Sequence, residues 1–369
     1  MTDMRCKSNT GLVDYFNVEK IILKEANEMK RSILSQFMVL FTVILMVVLL
    51  PGLGQAGTKK HVLKIATVIY PAPSPHTDSI HRIGEKVTKA TNGRITFKFY
   101  GNELCDMAEL NELVMRGAMD MELNGMGATY DPRWNIIWSP YIAKTYEEAG
   151  EIYGPGGFMS DIFTTLANDS GRVWLGAWIQ GFTGVSLSTR GATTPEEANG
   201  LKIRVPPLAS FKCYWKALGF SPVLLPYSEI ATAIATGIID GQAGGGPFQT
   251  WNLCRDMNKF FVWYRDFVEL WGYTINKKKW DDIEADDQMI IQKVVDEEVM
   301  LRLKSGETEQ LKYMKKLEDY GLTVIDLADY PKKLEAAAVA SRNCWKVMDP
   351  IVGKLLMDKL RKAVGMEVE

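Results

Sequence analysis

The sequence predicts an α/β fold of two lobes, and three observations carry that expectation. Apolar strands alternate with amphipathic helices. A unit of strand, helix, "G-x-x-D" and glycines occurs twice, reaching Asp120 the first time and Asp240 the second. A long helical pattern then occupies the C-terminal third. Strands interleaved with helices imply mostly parallel sheets flanked by helices, and two like units imply two sheets facing a cleft.

In chain order, "LKIATVIY" (63–70) reads as a buried strand, a Pro-rich loop leads to a helix over 76–91, and "RITFKFY" (94–100) alternates as a strand should. A helix over 107–116 and the strand within "GAMDMELNGMG" (117–127) complete the first unit. A helix over 147–167, strands over 173–181 and 185–190, and "LKIRVP" (201–206) follow. The second unit is "SPVLLP" (221–226), a helix over 227–236 and "GIIDGQAGGGP" (237–247). After the aromatic run "FFVWYRDFVELWGYTIN" (260–276), helical spacing runs from Asp281 to Tyr320, with Gly306 a candidate kink, and a last helix covers 331–346. Asp120 and Asp240 read as structural acids that hold backbone.

Bulk composition excludes several classes. The 369 residues carry 43 basic and 45 acidic side chains, a balance that offers no field to collect nucleic acid. The five cysteines are scattered without a CxxC pair, so neither a zinc ribbon nor a disulfide framework is expected. Lys30 and Arg31 precede an apolar run from Ile33 to Leu50, and Gly54 and Ala56 stand before a candidate cut ahead of Gly57. Residues 1–56 therefore read as an upstream extension and a signal peptide, with an uncleaved anchor as the alternative. Only His61, His76 and His81 are available as histidines, no G-x-S-x-G elbow occurs, and "GQAGGGP" lacks the G-K-[ST] ending of a phosphate loop. Close backbone approach is the better use of those glycines.

Arg204 stands out because it lies inside the apolar strand "GLKIRVPP". A guanidinium is rarely buried without an anion, so its partner is either an internal acid such as Glu269 or a group from outside.

The stretch "TTPEEANGLKIRVPPLASFKCYWKALGFSPVLLPYSEIATAIATGIIDG" (193–241) resembles the central segment of the extracytoplasmic solute-binding proteins of TRAP transporters, the DctP-like family. The resemblance includes "NGRITFKFYGNELCDMAELNELVMRGAMDM" and the "W-x-x-I-x-x-x-D-Q" entry to the long helix at Trp280, and covers most of residues 62–345. It implies a two-lobed, periplasmic-binding-protein-like fold with a long hinge-spanning helix. Residues 57–185 would form mainly lobe 1 and 186–275 mainly lobe 2, with 276–369 packing across both. It further implies a periplasmic receptor that binds a small organic anion and delivers it to a membrane permease. Arg204 would meet the acid group.

Departures from the family pattern refine this expectation. The second arginine of many dicarboxylate and acid-sugar binders is absent from "GFTGVS" (181–186), which favours a monoanion. Gly244 replaces an asparagine contact, and "AGGGPF" (243–248) lacks the acidic and aromatic pair of a metal-linked branch, so neither metal nor cofactor is expected. Glu269 falls where that branch places its second acid. The remaining cleft candidates sit at strand ends: Tyr70, His76, Asn124, Gly125, Met126, Trp178, Phe182, Phe248, Trp251 and Trp271. Core packing is the competing reading for each aromatic, and a helix-start position for His76. Two rival functions follow from the same residues: an exported enzyme using Glu269 or Asp240 as a base, and a membrane-anchored ligand sensor.

Overall fold

The computed structural model describes Lys24, Met29, residues 59–128 and residues 130–366. Apart from Lys24 and Met29, the expected leader lies outside the described residues. Among the described residues, no helix is long and apolar enough to cross a membrane.

From Lys59 onward the described strands are β1 (His61–Ala66), β2 (Ile95–Tyr100), β3 (Met121–Asn124), β4 (Arg172–Phe182), β5 (Gly184–Leu187), β6 (Lys202–Val205), β7 (Ser221–Leu224), β8 (Gly241–Gly245), β9 (Phe260–Trp263), β10 (Val268–Asn276) and β11 (Thr323–Asp326). They form two sheets, ordered β2-β1-β3-β10-β4 and β11-β9-β5-β8-β6-β7. Each repeated unit is parallel, β1 pairing with β2 and β3 as β6 pairs with β7 and β8. β5 and β10 run antiparallel to the strands beside them. These are the crossing strands: the chain leaves the first sheet at β4, enters the second at β5, and returns from β9 to β10. β10, which but for Asn276 falls in the segment 186–275 expected mainly in lobe 2, therefore belongs to the first sheet. The aromatic run 260–276 showed no break because both of its halves are buried strands.

The repeated acids do the same work twice. The Lys64 N–H donates to Asp120 Oδ2 (2.8 Å), and the Lys202 N–H donates to Asp240 Oδ2 (2.8 Å), so each carboxylate clamps the middle strand, β1 or β6, of its parallel trio. Helix Pro75–Ala90 starts on a capping box in which the Thr77 N–H donates to Ser74 Oγ (3.3 Å) and the Ser74 N–H donates to Thr77 Oγ1 (2.9 Å). Its buried face, Ile80, Ile83 and Val87, covers the first sheet.

Three expectations are corrected. The helix expected over 147–167 is two helices, Tyr146–Tyr153 and Phe158–Asp169, because Gly154-Pro155-Gly156-Gly157 cannot continue one. Gly306 does not break helix Ala285–Tyr320. It makes room for Tyr146, whose ring carbon would stand 2.6 Å from an added Cβ. Cys213, in helix Ala209–Ala217, and Cys344, in helix Pro331–Trp345, form a disulfide despite a separation of 131 residues. No short spacing could have signalled a pair so distant in sequence.

Helix Ala285–Tyr320, 36 residues long, binds β4 along its length. Gln292 Nε2 donates to Leu175 O (2.8 Å), Arg302 Nε to Ile179 O (2.7 Å), and Gln310 Oε1 accepts from the Phe182 N–H (3.1 Å). At the crossing itself the Thr183 N–H donates to Phe267 O (3.0 Å), and Thr183 Oγ1 donates to Asp266 Oδ1 (2.6 Å).

Because the disulfide closes a long loop, Cys344→Ser should lower unfolding stability by about 2–5 kcal/mol. Urea unfolding of the two proteins, each with and without reductant, checks this. Equal midpoints for variant and oxidised wild type would count against a stabilising bridge.

Candidate functional site

A cavity of about 500 Å³ opens where the strand ends of the two sheets meet. The first sheet contributes Val68–Tyr70 beyond β1, Gly125–Gly127 beyond β3, and Glu269–Trp271 from β10. Met107 and Asn111 of helix Met107–Met115 line it beside them. The second sheet contributes Arg204 on β6, Pro206, Leu208 and Phe211 after it, Tyr227, and Gly244 and Gln249 around β8. Ile137 and Trp138 close one side.

Arg204 is 5% exposed, and its Nε donates to Leu225 O (2.9 Å). Four arginines are buried among the described residues: Arg172, Arg204, Arg302 and Arg361. Arg172 pairs with Glu122 (3.0 Å), Arg302 with Glu309, and Arg361 with Asp349 and Asp358 (2.6 and 2.8 Å). Among the described residues Arg204 has no carboxylate within 4 Å. Burial without an anion pulls its guanidinium down to about 10.

Glu269, 3% exposed, faces the same cavity. It does not neutralise Arg204, so the internal-pair reading is not realised among the described residues. The Gly246 N–H and the charge of Arg302 favour its ionised form, yet burial dominates and pushes it up to about 8. Its Oε2 has no hydrogen-bond partner among the described residues.

Of the remaining expected residues, Tyr70, Gly125, Met126 and Trp271 line the cavity. His76, Trp178 and Phe248 do not; they form an aromatic layer behind it. His76 lies 4.1 Å from the Trp178 ring and 5.2 Å from Tyr70, and Phe248 meets Tyr70 edge-on at 5.0 Å. His76 is held well below the ordinary histidine range, first by burial and then by Arg302. Phe182 is farther away: its ring packs on Tyr146 and its carbonyl accepts from Trp263 Nε1 (2.9 Å). Trp251 stacks edge-on with Tyr320, and the Asn124 amide donates to Met107 O (2.9 Å) and Glu122 Oε2 (3.1 Å); neither lines the cavity.

Asn111, Trp138, Phe211, Tyr227 and Gln249 were missed. Only Asn111 carried a signal, as one amide on the apolar side of a helix. Its Nδ2 donates to Met107 O and Gly125 O (both 2.8 Å), while Oδ1 accepts from Arg172 Nη1 (2.6 Å). Gly244, at φ +94°, lets the Phe211 ring approach; an added Cβ would lie 2.8 Å from it.

The raised carboxyl values have a fixed sign. Glu269 at about 8 and Asp266 at about 7 bind protons more tightly folded than unfolded. Their stabilising protonated forms are complete below the ordinary carboxyl range and are lost as pH rises through those values. Glu269→Gln should therefore stabilise the empty protein at pH 8 by on the order of 2–4 kcal/mol relative to its effect at pH 5. Thermal unfolding at the two pH values checks this, and an effect independent of pH would contradict it.

The profile of the DctP family, described as bacterial extracellular solute-binding protein, family 7, matches residues 65–349. The chain is 27% identical over 288 residues to a solute-binding protein of Roseobacter denitrificans, covering 75% of this chain and 85% of that one. It is 24% identical over 312 residues to the C4-dicarboxylate-binding periplasmic protein DctP of Rhodobacter capsulatus, covering 83% and 88%. A TRAP periplasmic solute-binding protein of a Sulfitobacter species with bound β-D-galacturonate shares the fold, with a TM-score of 0.71 at 19% identity over 82% of this chain and all of that one. With a family match over most of its length and a single unpaired guanidinium in the cavity between two sheets, this chain belongs to the bacterial extracellular solute-binding protein family 7.

Proposed function

We propose that this protein is the periplasmic receptor of a TRAP transporter. It binds a small organic acid between its sheets through Arg204 and hands it to the membrane permease. One observation carries the reading: Arg204 is the only buried arginine among the described residues without a carboxylate, and it lines the cavity. A planar fork can make two parallel charge-assisted bonds to a carboxylate. In a cavity that closes around the ligand, those bonds form at low dielectric and are stronger than in water.

Arg204 is also the one cationic side chain among the residues lining the cavity. A dicarboxylate would bring its second charge into a cavity whose other lining ionisable groups include the acids Glu269 and Asp106 and no second cation, so a single anionic group fits best. The apolar surfaces of Met126, Trp138 and Phe211 suit a hydrocarbon body. The solutes named for the Rhodobacter and Sulfitobacter relatives are carboxylic acids, which supports the same chemistry. Export to the periplasm accords with the disulfide, a bond that persists in oxidising compartments.

Arg204→Ala should weaken binding of any carboxylate ligand by roughly 30-fold or more, since truncating one partner of a buried charge pair costs about 2–5 kcal/mol. Calorimetric titration of wild type and variant with the tightest acid from a thermal-shift screen measures it. Undiminished affinity in a folded variant would remove the basis of the assignment.

A further inference from the structure

The cavity holds a second unmatched group, of opposite sign to the first. Glu269 lines it from β10 while Arg204 lines it from β6, so the two stand on different sheets. Glu269 Oε2 is buried without a partner. Beside it, at the β-bulge where Glu269 pairs with Gly181 and Leu270 with Ile179, Gln180 is the extra residue, and its Oε1 is also buried and unpartnered.

Neither oxygen receives a hydrogen bond within the described chain, although other buried donors, the Trp271 Nε1–H of the cavity wall among them, are also unpartnered. The charged group that acts on Glu269 is Arg302 of the long helix, and the charge of Glu269 in turn reaches Tyr70 after β1, Tyr146 and Tyr227. Arg302 is committed elsewhere, donating to Ile179 O (2.7 Å), to Gln180 O (2.8 Å) and to Glu309. A buried acceptor left without a donor costs free energy, and a ligand that brings the donor recovers it. A hydroxyl brings one N–H or O–H equivalent; an ammonium brings three and a positive charge.

Building on the receptor reading, we propose that the ligand is an amino acid whose carboxylate meets Arg204 and whose ammonium meets Glu269. Its side chain lies against Met126, Trp138 and Phe211. Binding an ammonium requires Glu269 as carboxylate. The empty protein holds that group at about 8, so at pH 7 binding releases nearly one proton to the buffer.

Matched pairs that differ only in this group provide the test: L-alanine with L-lactate, L-leucine with L-2-hydroxyisocaproate, L-phenylalanine with L-phenyllactate, and 4-aminobutyrate with 4-hydroxybutyrate. Each is titrated calorimetrically into the full protein at pH 7 in two buffers of different ionisation enthalpy. At least one amino acid should bind at least tenfold tighter than its hydroxy counterpart and release a proton. Glu269→Gln should erase that preference, with retained binding of the weaker hydroxy acid and an unchanged circular dichroism spectrum showing that it folds. Hydroxy acids that bind as well as their amino partners, a preference that survives Glu269→Gln, or no binding by any amino acid would each overturn the proposal. Binding of any other carboxylate that depends on Arg204 would leave the receptor reading standing; no Arg204-dependent carboxylate at all would overturn both.

Discussion

An uncompensated guanidinium at the end of β6 is the constraint around which the second sheet is arranged. Burying a charge without a partner is costly, and three of the four buried arginines among the described residues avoid that cost through carboxylates of their own chain. Arg204 does not, keeping one bond to Leu225 O and the remainder of its fork toward the cavity. The strain is tolerable because the frame is secured elsewhere. Two large apolar clusters underlie the sheets, a disulfide ties the last long helix to helix Ala209–Ala217, and Asp240 clamps the start of β6 itself.

The first sheet is fixed by a different device. Buried polar groups there form a satisfied chain: Glu122 accepts from Arg172, from Thr274 Oγ1 (2.8 Å) and from Asn124, and Arg172 continues to Asn111 at the cavity wall. Such a network holds helix Met107–Met115 and the Gly125 turn in one geometry, since each member would leave an orphan if it moved. Behind the same wall, His76, Trp178 and Phe248 pack as an aromatic backing for Tyr70 and Trp271. The wall carried by the first sheet is thus held by polar satisfaction around Glu122 and by aromatic packing behind Tyr70 and Trp271.

That division explains what could be read from the residues alone. The repeated "G-x-x-D" units were legible because a strand, a helix and a backbone-clamping acid are local patterns, and Asp120 and Asp240 make equivalent bonds. Arg204 was legible because a charge inside an apolar strand violates a local rule. Depth was not. A sequence places Trp178, Phe182 and Phe248 near strand ends but does not say whether a ring reaches the cavity or stops one layer behind it. Nor could it divide 260–276 between two sheets, since buried strands of either sheet read as the same apolar run. The Cys213–Cys344 pair depends on helices that meet only in the tertiary fold.

The opposite signs of Arg204 and Glu269 raise a question of control. Carried on different sheets, a guanidinium and an ionised carboxylate would attract across an empty cleft and favour closure on nothing, which would lower affinity for any ligand. Burial opposes this by pushing Glu269 up to about 8, so that at neutral pH its carboxyl is mostly protonated in the empty site. Under the amino-acid proposal, closure would gain its electrostatic drive only when a visitor supplied an anion for Arg204 and an ammonium that made ionisation of Glu269 favourable. The two connections between the sheets, β4 to β5 and β9 to β10, meet where the Thr183 N–H donates to Phe267 O and Thr183 Oγ1 donates to the buried Asp266. Under the same amino-acid proposal, the desolvation that makes Glu269 costly to ionise would couple occupancy of the cavity to its protonation.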